Sequence, residues 1–131
     1  MTTLRLGISL LLLCLSACSA SHRWTLLDIA RQTVLLTELE VDRRQTIHAQ
    51  QQGFTEIGMF GTTDGHPTHG EINRYFASYA VIHTAVAAAL PSRWTKNDFW
   101  WFPSPRALWQ MIAIGDEYAA IRINWKLGIK P

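Results

Sequence analysis

The sequence predicts a mainly α protein, a small three-helix bundle that follows a cleaved signal peptide and ends in an extended C-terminal tail. Three observations carry that expectation. Two capping-box signatures, Thr25-Leu26-Leu27-Asp28 and Thr68-His69-Gly70-Glu71, each stand directly before an apolar run, and Ser104-Pro105-Arg106 places serine and proline where a third helix begins. Glycines at 53, 58, 61 and 65 break the pattern between the first two helices. Residues 24–131 then form one helical domain, with helices expected over about 25–49, 69–90 and 105–124.

The N-terminus begins Met1-Thr2-Thr3-Leu4-Arg5 and runs through apolar Leu6 to Leu15, interrupted only by Gly7 and Ser9. A positive charge, an apolar core of about 10 residues and small residues before a cut make a secretory signal, too short for the roughly 20 residues of a membrane span. Its last residues, Leu15-Ser16-Ala17-Cys18, resemble the lipobox of bacterial lipoproteins. That resemblance implies a signal peptide over 1–17, a covalent lipid (diacylglyceryl and palmitate) on Cys18, and a tether over 18–23. Ser19, where such proteins carry Asp if retained in the inner membrane, implies the outer membrane facing the periplasm. An ordinary signal cut near Ala20 is the competing reading.

Cys14 and Cys18 are the only cysteines, so residues 19–131 hold neither a disulfide nor a thiol nucleophile. Twelve Lys and Arg face ten Asp and Glu with both signs scattered, which argues against a nucleic-acid partner.

In the first helix Thr25 is the N-cap, Asp28 the acid three places on, and Trp24 the residue able to staple onto Ile29. Apolar residues crowd its first half (Leu26, Leu27, Ile29, Val34, Leu35, Leu36, Leu39), and Glu40 precedes Arg44 by four, the favourable order for a helical ion pair. The second helix has an apolar segment from Phe76 to Leu90 that includes His83, expected to be a core histidine with satisfied nitrogens. In the third, Arg106, Gln110, Ala113, Glu117, Ala120 and Asn124 share one stripe. Asp28, Gln32, Asp42 and Thr46 form its counterpart in the first helix. Two such stripes either face each other inside a bundle, where every polar group needs a partner, or face water.

Residues 121–130 alternate apolar and polar without a break, the period of a strand. A strand must pair, and only the weak Phe54 to Phe60 segment is offered, so the expectation is helix to about Asn124 and an extended end.

Two segments invite a functional reading. Asp64-Gly65-His66-Pro67-Thr68-His69-Gly70-Glu71 gathers residues that suit zinc, with His66, His69 and Glu71 as candidate ligands. Their spacing matches no zinc motif, and Thr68 with Glu71 already explains the stretch as a helix start, so no metal is expected. Trp94, Phe99, Trp100, Trp101 and Phe102, followed by Trp109, mix rings with Arg93, Lys96 and Arg106. Such rings and cations suit bilayer headgroups or a partner surface, and equally suit closing one end of a helical core.

Along the whole chain the order of landmarks is similar to that of small uncharacterised helical envelope proteins of bacteria and their phages. The matching residues are Asp42 with Thr46, Glu56 with Gly61, His66-Pro67-Thr68, Tyr75-Phe76, His83, Leu90-Pro91, Gln110, Glu117, Asn124 and Gly128. Where such proteins often follow an acid by Asn-Pro, Glu56 is followed by Ile57-Gly58-Met59. The resemblance implies a compact helical unit with polar residues between helices, and no activity.

The functional expectation is a lipid-anchored, non-catalytic structural or interaction module of the cell envelope, with no cofactor beyond the lipid on Cys18. Phe99, Trp100, Trp101, Phe102 and Trp109 would contact membrane lipid or another envelope protein. One rival is a small metal-dependent envelope hydrolase using the His66, His69 and Glu71 loop. Another is a phage lysis or superinfection-exclusion lipoprotein.

Overall fold

The computed structural model describes residues 23–54, 66–93 and 102–131. Helices α1 (Leu26–Gln51), α2 (His69–Ala89) and α3 (Pro105–Lys126) make up the fold, and the described residues include no strand. The signal segment, Cys18, Phe99, Trp100 and Trp101 lie outside the described residues.

Each helix starts as its sequence dictates. Thr25 Oγ1 accepts from the Asp28 amide at 3.1 Å while the Thr25 amide donates to Asp28 Oδ2 at 2.9 Å. Thr68 and Glu71 repeat the exchange at 3.3 and 2.8 Å, and Ser104 Oγ accepts from the Ala107 amide at 3.2 Å. These bonds satisfy amides that a first helical turn leaves without partners. Trp24 departs from its expected role: its ring lies 5.0 Å beneath the Arg106 guanidinium, and Ile29 is half exposed.

Two helices end in the same way. Gly53 and Gly128 adopt φ of +78° and +81°, a conformation open to glycine at no cost. After α1 the Phe54 amide donates to the Ala49 carbonyl and the Gly53 amide to that of Gln50. After α3 the Ile129 amide donates to Asn124 and the Gly128 amide to Trp125. Both are Schellman closures. Helix α3 continues to Lys126, two residues past the expected end near Asn124, and the chain turns at Gly128 before a non-helical end over 129–131. The alternation over 121–130 is coincidental, since Ile121 is buried within the helix and Ile129 is buried beneath the turn.

The long-range hydrogen bonds set the topology. Asp28 meets Arg106 and Gln32 meets Gln110, both pairs separated by 78 residues, and Gln45 meets Asn124 at a separation of 79. A constant offset means that α1 and α3 run parallel and in register. Gln32 with Thr84 and Arg43 with Asn73 place α2 antiparallel to α1.

The contact line of α1 passes through Asp28, Gln32, Leu35, Leu39, Asp42, Thr46 and Ala49, at alternating steps of four and three. Leu35 and Leu39 join Ile72, Phe76 and Ala113 in the apolar core, flanked by Ile47, Tyr75, Tyr79, Ala80 and Ile114. Polar residues hold the rest of the line. Most aliphatic residues of the first half of α1 consequently face outward, with Leu26, Leu27, Val34 and Leu36 all exposed.

Candidate functional site

The densest chemistry in the described residues lies where the polar stripes of α1 and α3 meet beside the C-terminus of α2. Arg106 is completely buried and Asp28 nearly so, and Arg106 Nη1 donates to Asp28 Oδ2 at 3.3 Å. The guanidinium also reaches four backbone carbonyls. Nε donates to Ala87 at 2.6 Å and Leu90 at 3.1 Å, Nη2 to Leu90 at 2.7 Å and Ala88 at 3.4 Å, and Nη1 to Arg23 at 3.1 Å. Helix α2 has no basic residue in its last turn, and its C-cap Leu90 is extended. Arg106 supplies from α3 the donors and positive charge that this end lacks.

One turn further in, a chain of hydrogen bonds ties the three helices together. Gln110 Nε2 donates to Gln32 Oε1 at 3.2 Å and to the Asp28 carbonyl at 3.0 Å. Gln32 Nε2 donates to Thr84 Oγ1 at 2.9 Å, and that hydroxyl donates to the Ala80 carbonyl at 2.7 Å. At the opposite end Asn124 Nδ2 donates to Asp42 Oδ1 at 2.9 Å and Gln45 Oε1 at 3.3 Å, while Gln45 Nε2 donates to the Ile129 carbonyl at 3.2 Å. The stripes therefore face each other, and the polar groups of these networks are paired apart from the buried Gln110 Oε1, which has no hydrogen-bond partner among the described residues.

Between these networks sits a group of acids. Glu117 is half-buried, and burial followed by the charges of Asp42, Glu38 and Asp116 pushes its carboxyl up to about 7. Burial also raises Glu38, and one carboxylate oxygen of each, Glu38 Oε2 and Glu117 Oε2, has no hydrogen-bond partner. Glu40 shows the opposite behaviour on the surface, where hydrogen bonds from Arg43 and Arg44 hold its carboxyl down at about 2. His83 of α2 stacks between Tyr79 and Trp109 with centroids 5.8 and 4.6 Å away. It is buried as expected, yet its Nδ1 finds no partner, and burial lowers its pKa. The expectation of satisfied nitrogens is corrected: the ring is held by stacking.

Of the residues expected to contact a membrane or partner, Phe102 is exposed. Trp109 is half-buried: it packs on His83, and its Nε1 donates to the His83 carbonyl at 3.2 Å. His66 and His69 are exposed, and Glu71 is engaged with the amide and hydroxyl of Thr68. Among the described residues no three of His, Cys, Asp or Glu form a set able to hold a metal ion. No helix among the described residues is long and apolar enough to cross a membrane.

Arg106 was legible as part of a stripe, whereas its role at the end of α2 carries no sequence signal beyond a missing cap. Glu117 was legible in the same stripe, whereas Glu38 and its proximity to Glu117 follow only from pairing α1 and α3 in register. Comparison with protein-family models, curated proteins and solved structures yields no match.

Proposed function

We propose that this chain is a lipid-anchored envelope protein, tethered through Cys18 to the outer membrane and facing the periplasm, whose helical body is a non-catalytic structural or interaction module. The observation that carries the reading is Leu15-Ser16-Ala17-Cys18, which closes an apolar signal a few residues before α1. The body is consistent with it. Asp28, Gln32, Gln110 and Arg106 are joined by hydrogen bonds to one another and to backbone carbonyls, an arrangement suited to a scaffold. The ring-rich segment Phe99 to Phe102 is the contact element of this reading.

Intact mass and membrane fractionation of the expressed protein, beside a Cys18→Ala variant, test the anchor. Lipid mass and outer-membrane partitioning in the parent, both lost in the variant, are expected. Soluble release of both proteins after cleavage near Ala20 would overturn it. Retention of lipid and partner binding after Trp100→Ser with Trp101→Ser would remove the ring segment from the reading.

A further inference from the structure

The bundle has two chemically different ends. Because α1 and α3 run parallel and α2 returns between them, the starts of α1 and α3 and the end of α2 share one tip. Within residues 23–37, 78–93 and 102–115 the sole acid is Asp28, which is buried and bound by Arg106 and Arg31. The remaining acids of the described helices, Glu38, Glu40, Asp42, Glu71, Asp116 and Glu117, lie from the middle toward the other end. Among the described residues the exposed charge at this tip is therefore basic, from Arg23 and Arg93, while residues 94–101, outside the described residues, add one Lys and one Asp in sequence.

The same tip exposes aliphatic side chains that the polar seam has displaced outward. Leu26 is 86% exposed, Leu27 66% and Ile29 50%, and Phe102 stands exposed at the start of the α3 segment. Exposed aliphatic residues framed by cations, with no exposed acid among the described residues beside them, suit an anionic bilayer, where arginines reach the phosphates and apolar side chains enter the headgroup and acyl boundary. The chain outside the described residues ends here too, since residues 1–22 lead directly into Arg23. A second copy fits less well: a two-fold contact through this tip would face like charge with like.

We infer that the tip formed by Arg23, Leu26, Leu27, Ile29, Arg93 and Phe102 docks on an anionic lipid surface, so that the bundle stands on the membrane instead of swinging on its tether. This deepens the anchored reading above and rests on it for the side of the bundle concerned.

Nitroxide accessibility tests it on the full chain. Single labels at Leu27→Cys and Gln51→Cys, in a Cys14→Ser background, lie about 36 Å apart along α1. Each protein is reconstituted in phosphatidylethanolamine and phosphatidylglycerol vesicles, with intact mass reporting the lipid on Cys18. Docking predicts a label at 27 that collides with oxygen and is protected from a water-soluble nickel complex by about tenfold relative to the label at 51. Equal water access at both sites in protein that carries lipid overturns docking and leaves the anchor standing. If no lipid mass is found, the anchor has failed, and docking survives only if adding phosphatidylglycerol vesicles, but not phosphatidylcholine vesicles, still protects the label at 27. Protection from both reagents with dipolar broadening between labels assigns the tip to a second copy and overturns the inference.

Discussion

Glu117→Gln should change how stability depends on pH. In the folded protein this carboxyl is raised from 4.5 to about 7, first by burial and then by Asp42, Glu38 and Asp116. In the unfolded chain it ionises at its ordinary value. Below pH 4.5 both states hold the proton and the group has no effect on stability relative to a neutral amide. Between pH 4.5 and 7 the folded state keeps a proton that the unfolded state has released, so stability falls as pH rises and levels off above about 7. At about 1.4 kcal/mol per pKa unit the full loss is at most about 3.5 kcal/mol, and partial solvent contact trims it to about 1–3 kcal/mol. Urea unfolding of the parent and the variant at pH 5, 6, 7 and 8 measures the effect. The two should differ least at pH 5, and the variant should gain steadily to a lead of about 1–3 kcal/mol at pH 8. Parallel stability curves, with no growing lead, would show that Glu117 titrates as an ordinary surface acid and that the α1 and α3 stripes do not enclose it.

Arg106→Met should destabilise the fold by about 3–5 kcal/mol in urea unfolding, because it leaves Asp28 buried with its main charge partner gone and strips the donors from the end of α2. Adding Asp28→Leu should recover part of that loss, and a purely additive double variant would refute the pairing. Gly128→Ala forces an L side chain into φ near +81° and should cost about 1–2 kcal/mol, read as a lower Tm, whereas an extended tail predicts no change. Thr68→Ala removes the α2 cap and should cost about 1 kcal/mol by the same assay.

The helices were legible because their starts are written locally. Thr25 with Asp28, Thr68 with Glu71, and Ser104 with Pro105 need no tertiary information to act. The polar stripes were legible as periodicity, and the ambiguity between solvent and interior was resolved only by the register of α1 against α3. At the C-terminus a strand-like alternation and a helix closed by glycine share the same letters; the helix end was legible to within two residues, but the turn was not, because the φ of Gly128 is a property of the folded turn. The environment of His83 was half legible. An apolar run predicts burial, but nothing local indicates that Tyr79 and Trp109 will stack on the ring and leave Nδ1 without a partner.

The polar seam has one consequence for specificity and another for surface chemistry. Leu35, Leu39 and Ala113 would pack tolerably after a slip of one helical turn, since aliphatic contacts are nondirectional. The hydrogen bonds from Arg106 to Asp28, from Gln110 to Gln32 and from Asn124 to Asp42 would not survive it, and buried groups without partners cost about 1–3 kcal/mol each. Register is thus fixed by the polar pairs, the role for which buried polar residues between parallel helices are best attested. A contact line given largely to polar side chains must place much of the remaining aliphatic surface elsewhere. On α1 that surface is Leu26, Leu27, Ile29, Val34 and Leu36, the first three at the end where exposed charge among the described residues is basic. The same choice that fixes how the helices pair thus produces the apolar, cationic tip suited to a lipid surface.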